Sequence, residues 1–217
     1  MPADSCKDGN INGDHLMKKI TTRSLAVTGV LTAVAFVLML IDFPVPLMPS
    51  FIKMDLSDLP ELIASFALGP LYGVAVCLFK NLFHLLMSQT AGIGELSNFL
   101  LGCAFVLPAG IIYRYKNTFK GAVAAALTGA VTMAAAGILT NYFIVYPLYG
   151  SVLGFTTETI LDMYRTVLPS VKNLWQALMI FNLPFTLIKG LLNALITFLI
   201  YKKLSPILKG KKNEGKS

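Results

Sequence analysis

"LPFTLIKGLLNALITFLIYKKL", residues 183–204, decides which solvent this chain is built for. Its apolar run is long enough to cross a bilayer, because about 20 helical residues cover a hydrocarbon core of about 30 Å. One lysine, Lys189, lies inside it. The polar positions Asn182, Thr186, Lys189, Asn193 and Thr197 recur at helical intervals. At about 100° per residue they share an arc of about 80°, so the helix carries one polar stripe. Hydrogen bonding between helices accounts for Asn193 and Thr197. It does not account for an ammonium, which is costly in hydrocarbon, and Lys189 therefore predicts a polar cavity along this face.

The rest of the chain has the same character. Of 217 residues, 55% are hydrophobic and 13% charged, where a soluble domain carries about 25% charged residues. Six stretches read as spans: about 24–42, 57–69, 71–89, 94–115, 120–146 and 183–203. The expected fold class is an all-α membrane protein, a six-transmembrane-helix bundle over residues 24–203. A flexible cytoplasmic tail, 1–23, precedes it and a basic cytoplasmic tail, 204–217, comes after it. The first tail has no short apolar region with a cleavage site, so the first span is expected to be retained. Six spans put Lys7, Lys18, Lys19, Arg23, Arg114, Lys116, Lys120 and the C-terminal lysines on one side, with Lys53, Arg165 and Lys172 on the other. The positive-inside bias then makes both termini cytoplasmic. Since the basic residues lie in tails and one short loop, the net charge of +7 reflects topology and implies no nucleic-acid partner. Cys6, Cys77 and Cys103 lack CxxC spacing, and neither a disulfide nor a metal site is expected.

Two outer segments invite a role. "FPVPLMPSFIKMDL", residues 43–56, has three prolines and is still apolar, which suits a lid folded over a cavity. Residues 147–182 hold an expected interfacial helix around "TETILDMYRTVL" and a single Trp175 as an interface anchor. Starting the last span at Pro184 and ending the fifth near Tyr146 puts Lys189 and Asn141 about 7–8 Å below the outer surface. Asn98 and His84 come out at about 6 Å. These groups describe a cavity opening outward. Lys189 reads as facing no acid. "GPLYG", 69–73, folds the third span back on the second and brings Lys80 level with Glu61, which predicts a structural ion pair. In the first span Ala26, Gly29 and Ala33 form a small-residue stripe open to another helix. The ridge Ala122, Ala126, Ala130, Ala134 is expected to pack internally.

Catalytic signatures are missing: there is no HExxH, GxSxG, Walker A or GxGxxG. An intramembrane enzyme would have to use His84, Glu61 or Asp58 with no nucleophile beside them. A transporter without a nucleotide site must use a gradient or borrow an ATPase. No clear inverted repeat with broken helices is visible, which favours the borrowed motor.

The stretches "FIKMDLSDLPELIASFALGPLYGVAVCLFKNLFHLL" (51–86), "GELSNFLLG" (94–102), "TNYFIVYPLYG" (140–150) and "LPFTLIKGLL" (183–192) together resemble the riboflavin-specific substrate-binding (S) subunits of energy-coupling factor (ECF) transporters. The likeness extends over residues 24–203. It implies a six-helix bundle that takes up vitamin B2 from outside under the first outer loop. It also implies a membrane coupling protein and two cytoplasmic ATPases as partners. By position, the family's binding asparagine and lysine fall on Asn141 and Lys189. Thr186 stands where relatives commonly have asparagine, with one donor in place of two. The chain's own polar and apolar positions complete the expected binding set: Asn182, Asn98 and Glu95, with Leu47, Met48 and Phe51 over the flavin tricycle. The resemblance assigns the Ala26, Gly29, Ala33 face to the coupling protein. An ammonium without an acid would also suit the phosphate of FMN, which stays open as a ligand beside another vitamin. An assembly role would leave Lys189 without a purpose.

Overall fold

The computed structural model describes residues 21–45, 48–49 and 52–209. Most of the two expected tails and the positions of Leu47 and Phe51 lie outside the described residues. Helix α1, Thr22–Leu40, opens with a reciprocal cap in which Thr21 Oγ1 accepts from the Ser24 amide at 3.1 Å and Ser24 Oγ accepts from the Thr21 amide at 3.0 Å. Strands β1, Phe43–Pro44, and β2, Lys53–Met54, pair antiparallel, and a Lys53–Asp42 bridge of 2.9 Å closes the base of this hairpin. The described ends of the 43–56 segment are therefore pinned together as a ribbon.

Helices α2, Asp58–Ala67, and α3, Pro70–His84, form a tight hairpin. Gly69 turns it with φ of 126°, which an L side chain rarely adopts. A Cβ on Gly73 would lie 2.8 Å from that of Ser65, so the two backbones touch through the glycine. Next come α4, Ile93–Tyr115, α5, Phe119–Leu153, and α6, Thr157–Arg165. The last helix, α7, is continuous through Leu174–Ala177, Leu178–Asn182 and Leu183–Lys209. Among the described residues, α1, α3 together with the turn that carries it on to Met87, α4, α5 and α7 are long and apolar enough to cross a membrane. Helix α2 has 10 residues, all buried.

The fifth and last helices overrun their expected ends at 146 and 183. Each contains a wide turn, Asn141–Val145 and Leu178–Asn182, in which the Tyr146 amide donates to Asn141 O and the Leu183 amide to Leu178 O, five residues back. Pro147 and Pro184 come directly after. A proline ring normally clashes with the carbonyl four residues earlier, and the widened turn removes that clash. The prolines thus sit inside helices instead of marking their ends. Lys189 lies roughly 22 Å along α7 from Leu174, and Asn141 roughly 18 Å along α5 from Leu153, so each is farther from its helix end than the sequence suggested.

Packing differs along the bundle. At one end Ala122, Ala126, Ala130 and Ala109 meet Phe105, Met133 and Leu62 in a core of small side chains, which lets α4, α5 and α7 approach closely. At the other, Tyr146, Tyr149, Ile160, Tyr164 and Leu178 tie the amphipathic α6 onto α5 and α7. Trp175, nearly half exposed, packs edge-on to Tyr142 at 5.6 Å.

Candidate functional site

A cavity of about 640 Å³ opens between the ribbon, α1, and the ends of α3, α4, α5 and α7, with α6 at its side. Lys189, Asn141, Thr186, Asn182, Asn98 and Glu95 all line it, and so does His84. Each of the two wide turns carries one of the asparagines, Asn141 at its start and Asn182 at its end. An extra residue in a turn rotates the remainder of the helix by about 100° relative to an unbroken one, so these turns set the direction in which the amides face. Met48 is not among the described lining residues. The ribbon instead contributes Ile52, Lys53 and Asp55.

Lys189 does face an acid, contrary to the sequence reading. Its Nζ donates to Asp55 Oδ2 at 3.0 Å and lies 3.4 Å from Asp58 Oδ2. The sequence reading left Asp55 in the outer segment, 43–56, and Asp58 at the start of the second span, but the ribbon folds inward and carries Asp55 to the stripe. Burial pushes the Asp55 carboxyl up; the ammonium groups of Lys189 and Lys80 and the hydrogen bonds from Ser57 outweigh it and hold the group at about 2. An ammonium has three donors; one goes to Asp55, Asp58 adds an ion-pair contact, and donor capacity remains for an oxygen in the cavity.

Behind this pair lies a sealed cluster. Lys80, fully buried, donates to Ser57 Oγ and sits 2.5 Å from Glu61 Oε1 and 3.2 Å from Asp58 Oδ1. Asp58 is therefore shared by both lysines, one oxygen each. Cysteines 77 and 103 are free thiols. On the opposite wall Glu95 is held by His84 Nδ1 at 2.7 Å and by the Ser88 hydroxyl at 2.8 Å, and Asn98 Nδ2 reaches Met39 Sδ at 3.8 Å. Sequence reasoning missed Asp55, Tyr146 and Tyr164. Asp55 had one available signal, since a buried ammonium requires an acid and the "KMDLSD" run, 53–58, supplies two.

No group of three or more His, Cys, Asp or Glu side chains suited to a metal ion exists among the described residues. The cavity offers donors and acceptors on its walls and apolar surface from Met39, Leu40, Leu101 and Phe185. Such a site suits a neutral ligand with a flat apolar body and several oxygens.

Residues 23–201 match the family described as ECF transporter, substrate-specific component. The chain belongs to that family. It is 32% identical to the riboflavin transporter RibU of Staphylococcus aureus, covering 92% of this chain and 99% of the relative. It is equally 32% identical to the riboflavin transporter FmnP of Bacillus subtilis, covering 85% and 93%. A solved structure of the S component of a bacterial ECF transporter superposes with TM-score 0.69 at 32% identity, covering 87% of this chain and 98% of that one. As an S component the chain is a multi-pass protein of the cell membrane and a substrate-binding subunit, not an enzyme.

Proposed function

We propose that this S component binds riboflavin from the outer face of the membrane. It hands the vitamin inward with a membrane coupling protein and two cytoplasmic ATPases. In this reading the five long helices and α2 make a six-helix bundle with both termini cytoplasmic. The supporting observation is the convergence of Lys189, Asn141, Asn182 and Thr186 on one cavity, in a chain whose relatives are named riboflavin transporters. The ring carbonyls and ribityl hydroxyls of riboflavin match these groups, and its tricycle matches the apolar walls.

Riboflavin is favoured over FMN. The charge of Lys189 is already balanced by Asp55 and Asp58, so the site offers a hydrogen bond more than a free cation to a phosphate. Coupling is assigned to the small-residue face of α1. Ala26, Gly29 and Ala33 are exposed, a Cβ on Gly29 would meet nothing within 4 Å, and the bundle uses the opposite face through Thr28, Leu31 and Ala35.

The deciding experiment is a titration of the purified protein with riboflavin in the absence of ATP. Saturable quenching of flavin fluorescence is expected, with weaker binding of FMN. A folded sample that shows no saturable signal rejects the reading. Uptake in cells should require the ATPase complex, and Gly29→Leu should abolish uptake while leaving binding intact.

A further inference from the structure

Asn182, Tyr146 and Tyr164 form a closed triangle at the cavity wall. Tyr164 Oη lies 2.6 Å from Asn182 Oδ1, Asn182 Nδ2 lies 3.3 Å from Tyr146 Oη, and the two hydroxyl oxygens are 2.6 Å apart. All three side chains are buried, and Tyr164 is wholly so. Only Asn182 and Tyr146 line the cavity; Tyr164 stands behind them on α6.

The distances fix the direction of every proton. A separation of 2.6 Å suits O–H···O, whereas N–H···O bonds centre near 2.9–3.0 Å, so the amide oxygen faces Tyr164 and the amide nitrogen faces Tyr146. Tyr164 then donates its only hydrogen to Asn182. Its oxygen must accept from Tyr146, and Tyr146 accepts from Asn182 Nδ2. Each member donates once and accepts once around the ring; reversing the amide would run the circuit the other way and put N–H···O at 2.6 Å and O–H···O at 3.3 Å, against the lengths each bond prefers. The second Nδ2 hydrogen is left outside the triangle.

We propose that Tyr164 is a positioning residue for ligand recognition: it locks the Asn182 amide so that this site presents an N–H donor to an acceptor on the ligand. The proposal rests on the riboflavin reading, whose ring carbonyls and nitrogens are such acceptors. It gives the outer segment a part in specificity. Helix α6 is fixed for this task, because Arg165 bonds Glu158, Asp162 at 3.0 Å and the Val171 carbonyl at 3.1 Å, and Ile160 and Leu161 are buried beside it.

The test is a double-mutant cycle on the full chain, read by riboflavin affinity and melting temperature. Tyr164→Phe removes one oxygen and should weaken riboflavin by about three- to tenfold, the value of one or two neutral hydrogen bonds. In an Asn182→Ala background the same change should cost nothing further, because its effect passes through the amide. Losses that simply add, or an unchanged affinity in Tyr164→Phe, overturn the proposal and leave the riboflavin reading standing. A wild-type protein that fails to bind riboflavin rejects both. Should Tyr164→Phe not fold, Tyr146→Phe puts the same question from the other corner, and additivity with Asn182→Ala there is equally fatal.

Discussion

Lys80 and Lys189 are two buried ammonium groups that share one aspartate and have opposite duties. Lys80 is fully enclosed, with Glu61, Asp58 and Ser57 around it. Lys189 stands at a cavity wall, held from the other side by Asp55 on the ribbon. The difference lies in what surrounds each ammonium: protein on every side of Lys80, a ligand-sized space beside Lys189. Removing Lys80 should therefore show as lost stability, and removing Lys189 as lost affinity.

The largest expected effect is Lys80→Met. It leaves Glu61 buried without its partner and Asp58 with Lys189 alone, which should cost about 3–5 kcal/mol of stability, seen as a much lower melting temperature or loss of folded protein in detergent. A melting temperature equal to wild type would erase the distinction between the two sites. Lys189→Met should weaken riboflavin about ten- to a hundredfold, the value of a charge-assisted hydrogen bond of about 1.5–3 kcal/mol. Lys189→Met also orphans the Asp55 carboxylate, so a smaller fall in melting temperature should accompany it and be recovered on adding Asp55→Asn, while affinity stays low. Recovery of both would mean that Lys189 serves the ribbon alone.

Acid gives a graded version of the same contrast. Asp55 has its carboxyl lowered from 3.8 to about 2. A group lowered on folding contributes stability that is complete above its ordinary value and fades as pH falls through the folded one. The ribbon contact and flavin binding should hold down to pH 3.8 and weaken toward pH 2, and Asp55→Asn should remove that acid limb from the binding curve. The smallest effect belongs to Thr186→Asn. Thr186 lines the cavity and packs toward Gly137, where a Cβ would lie 3.5 Å from its hydroxyl. Exchanging one hydroxyl for an amide should shift riboflavin affinity by about twofold, near 0.5 kcal/mol, with unchanged yield. No shift at all would remove Thr186 from the ligand's reach.

Much of the fold was legible because it obeys local rules. Long apolar runs mark the five long helices, and a Gly-Pro turn brings Lys80 level with Glu61 by counting alone. The stripe on α7 comes from spacing, since intervals of three and four keep residues on one face. The features that stayed hidden depend on contacts distant in sequence. The path of residues 43–56 has no periodicity to read, so the descent of Asp55 to Lys189, 134 positions away, had no local trace. Tyr164 looked like one face of an interfacial helix, and only the docking of α6 turns its hydroxyl to Asn182. Pro147 and Pro184 were misleading for a physical reason: a proline ends a helix unless the turn before it widens.

The α2–α3 hairpin also bears on how the protein is made. At 10 residues, α2 is about 15 Å long, half of what a bilayer requires, and it carries Asp58 and Glu61. Alone in lipid it would expose two carboxylates, and α3 alone would expose Lys80. Synthesis delivers them in succession across the single turn at Gly69, so Lys80 meets Glu61 and Asp58 within one hairpin, and the carboxylate charge left over meets Lys189 from α7. Entry as one hairpin would spare both elements an exposed charge, so the ion pair that braces the finished molecule would also ease insertion of the growing chain.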